Sequence, residues 1–210
     1  MSSTANQKKL TTKLAVTGML TALAVALQFI EFSIPIVPSF IKFDLSDLPE
    51  LICTFALGPV WGLAVCFLKN LIHMPFGSTA GVGELANFVL GAAFVLPAGF
   101  IYQRRKTRKN ALIACAVGVL AMAAVSFPLN YFAIYPLYTL LGFPMERIIG
   151  MYKMILPSAD ELWKCLLIFN VPFTLAKGVI CSVLTLIIYK PISKLIVKLD
   201  GAMGKSRSKA

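Results

Sequence analysis

Apolar residues in this chain run in long blocks rather than alternating at a strand period. Four blocks, at roughly 12–30, 84–103, 111–140 and 162–190, approach or exceed the ~20 residues that cross a bilayer as a helix. A fifth stretch, "DLPELICTFALGPVWGLAVCFLKNLIHMP" (47–75), is long for one span and short for two. Each half of a hairpin there would cover only about 16–24 Å at 1.5 Å per residue.

Charge decides between the two readings. Basic residues gather at Lys8, Lys9 and Lys13, at "RRKTRK" (104–109), and from Lys190 to Lys209. Each cluster flanks an apolar block, as cytoplasmic segments do under the positive-inside rule. One span over 47–75 would put the two basic ends on opposite sides. Two short helices turning at Gly58-Pro59 put all three clusters inside, and Gly-Pro makes a credible turn. The expected fold is therefore an all-α, polytopic, multi-pass membrane domain over 1–210 with both termini cytoplasmic. Its six helices are expected at about 12–30, 47–57, 60–75, 84–103, 111–140 and 162–190. The segments 31–46, 76–83 and 141–161 then lie outside, and residues 14–30 are read as a retained helix rather than a cleaved signal.

Composition agrees with this class. Residues are 58% hydrophobic and 14% charged, against about 25% charged for a soluble domain. The net charge of +11 invites a nucleic-acid reading, but its placement beside apolar blocks argues against one. The five cysteines all lie in apolar segments without metal spacing, and read as small packing residues.

Enzymatic chemistry is sparse. There is no GxxxxGK[ST] loop, and "GSTAGVGE" (77–84) lacks the lysine and hydroxyl that a phosphate-binding loop needs. His73 is the only histidine, which removes most histidine-based metal sites and any Ser-His-Asp triad. Asp44, Asp47 and Glu50 recur at three-residue spacing. The simplest account has Asp47 capping the next helix, Pro49 just inside its start, and Glu50 complementing the helix dipole.

One residue resists a bland account. Lys177, in "FNVPFTLAKG" (169–178), falls within an apolar span, where a lysine costs roughly 2.5–3.5 kcal/mol on insertion scales. Asn170, Thr174 and Lys177 follow the i, i+4, i+7 spacing of one helix face, and Pro172 frees a backbone carbonyl beside them. The face could be polar glue with Lys177 paired to a carboxylate. The predicted spans offer few carboxylates, however, only Glu84 and Glu50 near helix ends. The expectation is that Lys177 faces a cavity filled by a polar ligand. Asn130, between Pro128 and Pro136 and beside Phe127, Tyr131 and Phe132, fits the same site. Aromatic rings there would stack on a flat heteroaromatic ligand while amide and ammonium read its polar edge. In the outer segment, Phe40, Lys42, Phe43 and Asp44 are candidate lid residues.

"FIKFDLSDLPELICTFALGPVWG" (40–62), "FPLNYF" (127–132) and "NVPFTLAKG" (170–178) together resemble the riboflavin-specific S components of energy-coupling factor (ECF) transporters, over about 12–190. The resemblance implies six helices in a bacterial plasma membrane, capture of riboflavin as transported ligand rather than cofactor, and no enzymatic activity. It implies partnership with an ECF transmembrane T component and two cytosolic ATPase subunits, in keeping with the missing P-loop. It places substrate contacts at Asn130, Thr174 and Lys177, with Phe43 and Asp44 nearby and Asn170 less directly. Many relatives carry Asn where this chain has Thr174. Small residues on the first helix meet the T component in such proteins, and Gly18, Ala22 and Ala26 match that spacing. An S component for another vitamin or for FMN, and a membrane scaffold without a small ligand, remain the alternatives.

Overall fold

The protein is described by a computed structural model covering residues 2–188. The basic tail from Lys190 onward, and its expected cytoplasmic place, lie outside the described residues. The chain is a helical bundle with elements α1 (Ser2–Phe29), α2 (Asp47–Leu57), α3 (Pro59–His73), α4 (Val82–Arg104), α5 (Arg108–Leu140), α6 (Met145–Lys153) and α7 (Leu162–Ile187). Among the described residues, α1 from Lys9, α4, α5 and α7 are long and apolar enough to cross a membrane. Large apolar side chains such as Phe100, Leu120 and Val183 point outward from them, as a lipid-facing surface requires.

The stretch 47–75 folds as two short helices that pack on each other. Gly58 joins them at φ 112°, and a Cβ there would fall 2.2 Å from Gln103 Nε2. Only glycine fits that corner, and Pro59 then opens α3 in its first turn. The helix α2 packs against α1, α3, α4 and α7, so its polar N-terminal turn is held inside the bundle. Close approach is helped by Gly91 on α4, where a Cβ would lie 3.0 Å from Glu50 Oε2.

Between α1 and α2 the chain forms a small hairpin strap. Phe32 pairs with Phe43 and Ser33 with Lys42 in antiparallel register, and Lys42 is tied to Glu31 by an ion pair. On the same side α6 packs Ile148 and Tyr152 into a cluster with Ile134, Tyr135, Tyr138 and Phe169.

Both long outer helices carry one π-turn, at Asn130–Ile134 in α5 and Leu166–Asn170 in α7. Tyr135 N–H donates to the Asn130 carbonyl and Val171 N–H to that of Leu166, each five residues back. Each turn is followed two residues on by a proline, Pro136 or Pro172. A proline has no N–H to continue the ladder, and a single π-turn is the usual local accommodation. The two turns present Asn130 and Asn170 to the same space between α5 and α7.

The sequence reading needs one correction at α2. Ser46 rather than Asp47 occupies the cap position, and it makes no side-chain capping bond. The Asp47 carboxylate turns inward instead, toward Lys69 and Lys177.

Candidate functional site

A cavity of about 130 Å³ opens between the strap, α4, α5 and α7. The strap contributes Glu31, Phe40, Ile41, Lys42 and Asp44; α4 contributes Glu84, Asn87 and Leu90. The helix α5 supplies Met122, Asn130, Ile134, Tyr135 and Tyr138, and α7 supplies Asn170, Phe173, Thr174 and Lys177. Aromatic rings and a few directed polar groups thus share one wall, the usual make-up of a small-molecule site.

Of the residues expected there, Asp44, Asn130, Asn170, Thr174 and Lys177 line the cavity. Phe43 does not. Its ring packs against Phe32 and edge-on to Phe173, at centroid distances of 5.4 and 6.2 Å. The backbone alternation along Lys42–Phe43–Asp44 explains this, since neighbouring side chains face opposite ways. Phe43 therefore stands one layer behind Phe173.

Lys177 differs from its expectation in one respect. It does line the cavity, but it is also paired. Its Nζ donates to Asp44 Oδ2 at 3.0 Å and lies 3.4 Å from Asp47 Oδ2. Asp44 comes from the strap, outside the apolar blocks in which a partner was sought. Burial by itself would raise the Asp44 carboxyl's pKa. The ammonium groups of Lys177 and Lys69, with hydrogen bonds from Ser46, outweigh it and hold the acid well below its ordinary range.

The remaining polar groups of the site are tied down from behind. Asn130 Nδ2 donates to the Ser126 carbonyl at 2.8 Å, and the residue lines the cavity. Thr174 Oγ1 is 3.1 Å from Ser126 Oγ, joining α7 to α5. Asn170 is the most committed. Its Oδ1 accepts from Tyr152 OH at 2.7 Å and its Nδ2 donates to Tyr135 OH at 3.0 Å, while the two hydroxyls bond to each other. Asn170 thus pins α6 and α5 together at the cavity edge and offers a ligand little.

Several residues of the site are not evident from sequence reasoning. His73 Nδ1 lies 2.9 Å from Glu84 Oε1, a buried pair that closes the 76–83 turn over the cavity. Asn87 lies one turn further along the same face of α4. Most consequential is Lys69, fully buried on α3, where it meets Ser46, Asp47 and Glu50. The cost argument that singles out Lys177 applies equally to Lys69. Polar residues at Lys69, Asn70 and His73 within an apolar stretch were the available signal.

Residues 12–189 match the family described as ECF transporter, substrate-specific component. The chain belongs to this family. It is 33% identical to the Riboflavin transporter RibU of Staphylococcus aureus, over 89% of this chain and 93% of that one. It is 32% identical to the Riboflavin transporter FmnP of Bacillus subtilis, over 84% and 90% respectively. A solved S component of a bacterial ECF transporter has a TM-score of 0.70 and 32% identity, covering 89% of this chain and 98% of that one. Membership makes the chain a membrane-embedded transporter component. The cavity under the strap is then the natural candidate for its substrate site.

Proposed function

We propose that this chain is the riboflavin-binding and translocating subunit of an ECF transporter, a multi-pass protein of the bacterial plasma membrane. The relatives named as riboflavin transporters support the substrate. Within the chain, the observation that carries it is the cavity wall where Asn130, Thr174 and Lys177 face aromatic side chains. A flavin is a flat heteroaromatic ring with a polar edge and a hydroxylated chain. Phe40, Tyr135, Tyr138 and Phe173 supply surfaces for the ring. Asn130 Oδ1 accepts from a ring or ribityl donor, and the Lys177 ammonium donates to an oxygen or ring nitrogen. The cavity, about 130 Å³, is below the roughly 300–1,000 Å³ of sites for drug-sized ligands, so admitting a flavin requires the cavity to widen.

Six spans with both termini inside is the reading that the basic clusters favour, and it puts the strap and the cavity on the outer side. Binding from outside then leaves energy input to a T component and two cytosolic ATPase subunits. Gly18, Ala22 and Ala26 lie exposed along α1, and a Cβ on Gly18 would meet nothing within 4 Å. That smooth stripe is the surface we assign to the T component, because small side chains allow close helix approach.

The test is purification from cells grown with riboflavin. Co-purification of a yellow chromophore with flavin absorbance, released on denaturation, is the expected result. A colourless protein that also fails to quench added riboflavin would overturn the substrate assignment.

A further inference from the structure

We infer that Lys69, which does not touch the cavity, is the residue that positions the Lys177 ammonium for the ligand. Lys69 lies on α3, and its side chain is fully buried. Its Nζ donates to Ser46 Oγ at 2.5 Å and to Asp47 Oδ1 at 2.8 Å, and lies 2.7 Å from Glu50 Oε1. An ammonium has three donors; Ser46 Oγ and Asp47 Oδ1 accept hydrogen bonds from this one, and Glu50 Oε1 stands within ion-pair distance.

Two of those partners face a second way. Ser46 donates both its backbone N–H, at 2.8 Å, and its hydroxyl to Asp44 Oδ1. Asp44 presents its other oxygen to Lys177. Asp47 holds Lys69 through Oδ1 and faces Lys177 through Oδ2. Both carboxylates that flank Lys177 are therefore fixed from behind by Lys69, one directly and one through Ser46. The Lys177 ammonium donates to Asp44 Oδ2 and stands 3.4 Å from Asp47 Oδ2, which accepts no hydrogen bond among the described residues, so it keeps donors for the cavity it lines.

The alternative is that Lys69 only offsets buried charge. Asp44, Asp47 and Glu50 share Lys69 and Lys177, and Asp47 Oδ2 and both Glu50 carboxylate oxygens already accept no hydrogen bond among the described residues. Without Lys69, the one remaining ammonium would face all three acids. Lys177 would be drawn toward Asp47 and Glu50, away from the cavity. A purely structural role predicts lower stability with ligand affinity unchanged in the folded fraction. A positioning role predicts lost affinity that depends on Lys177 being present.

This inference rests on the riboflavin reading, and a double-mutant cycle separates the two. Riboflavin affinity is measured by fluorescence quenching for the unsubstituted protein, Lys69→Met, Lys177→Met and the pair, with thermal unfolding alongside. Ser46→Ala, alone and with Lys177→Met, runs in parallel. It keeps every charge and carries the test if Lys69→Met does not fold. Residues in one buried network couple by roughly 2- to 150-fold in an equilibrium constant. We expect Lys69→Met and Ser46→Ala each to weaken binding about tenfold in the native background, and less than twofold when Lys177 is absent. Equal losses in both backgrounds, or unchanged affinity with lowered stability, would overturn the positioning role. No quenching by the unsubstituted protein would overturn the riboflavin reading instead.

Discussion

Lys177 and Asp44 are 133 residues apart in sequence, yet the lysine Nζ donates to the carboxylate Oδ2 at 3.0 Å, and both are buried. The contact ties the strap to α7 at the rim of the cavity. A lysine isolated in an apolar span is replaced with profit by an apolar residue; a lysine that neutralises two buried acids is not. Substitution here acts on stability and on ligand binding together.

Lys177→Met is expected to destabilise the protein, because Asp44 and Asp47 lose a buried partner. Breaking a buried pair from one side costs about 3–5 kcal/mol. Adding Asn at position 44 removes one stranded charge, so Lys177→Met with Asp44→Asn should unfold at a higher temperature than Lys177→Met alone. Thermal unfolding of purified variants measures this directly. A Lys177→Met protein at least as stable as the native chain would contradict the pairing.

Acid titration should expose Asp44. Its folded-state pKa is depressed, so its contribution is fully present above the ordinary carboxylate value near ~3.9 and is lost as pH falls below that. As far as Asp44 is concerned, stability should be level from pH 7 to about 5 and should drop only in stronger acid. The acid limb of Asp44→Asn should be shallower than that of the native protein, and identical limbs would count against the ion pair.

Asn130→Ala removes the amide that faces the cavity between α5 and α7 and also the hydrogen bond to the Ser126 carbonyl. An unsatisfied polar group costs about 1–3 kcal/mol, so riboflavin affinity should fall roughly 5- to 150-fold. Asn170→Ala should differ in kind. It breaks the bonds to Tyr135 and Tyr152, so its larger effect should be on thermal stability.

These contrasts show what the sequence made legible. Block hydropathy located the long helices, and the Gly58-Pro59 corner divided 47–75, with glycine required at position 58 by its φ of 112° and the nearby Gln103 side chain. Lys177 stood out by its cost in a bilayer. Its partner did not, since Asp44 lies in a segment that reads as solvated loop and becomes buried only when the strap folds over α7. Lys69 escaped notice although the same cost applied to it. The π-turns were half legible: Pro136 and Pro172 announce a disturbed ladder, but not that an extra residue would swing Asn130 and Asn170 to one side.

The stripe on α1 bears on coupling. Ala22→Leu or Ala26→Leu places bulk on an exposed face and should leave riboflavin binding by the isolated subunit intact. Uptake in cells carrying the full transporter should fall. Parallel loss of binding and uptake would assign those residues to internal packing.

The central claim is that the cavity under the strap binds riboflavin through Lys177. Its most direct test is one fluorescence titration of riboflavin into the purified native protein and Lys177→Met, both shown to be folded. A charged hydrogen bond is worth about 1.5–3 kcal/mol, so saturable one-to-one quenching by the native chain and an affinity roughly 10- to 150-fold weaker in the variant are predicted. Equal affinities in the two folded proteins, or no saturable quenching by either, would contradict it.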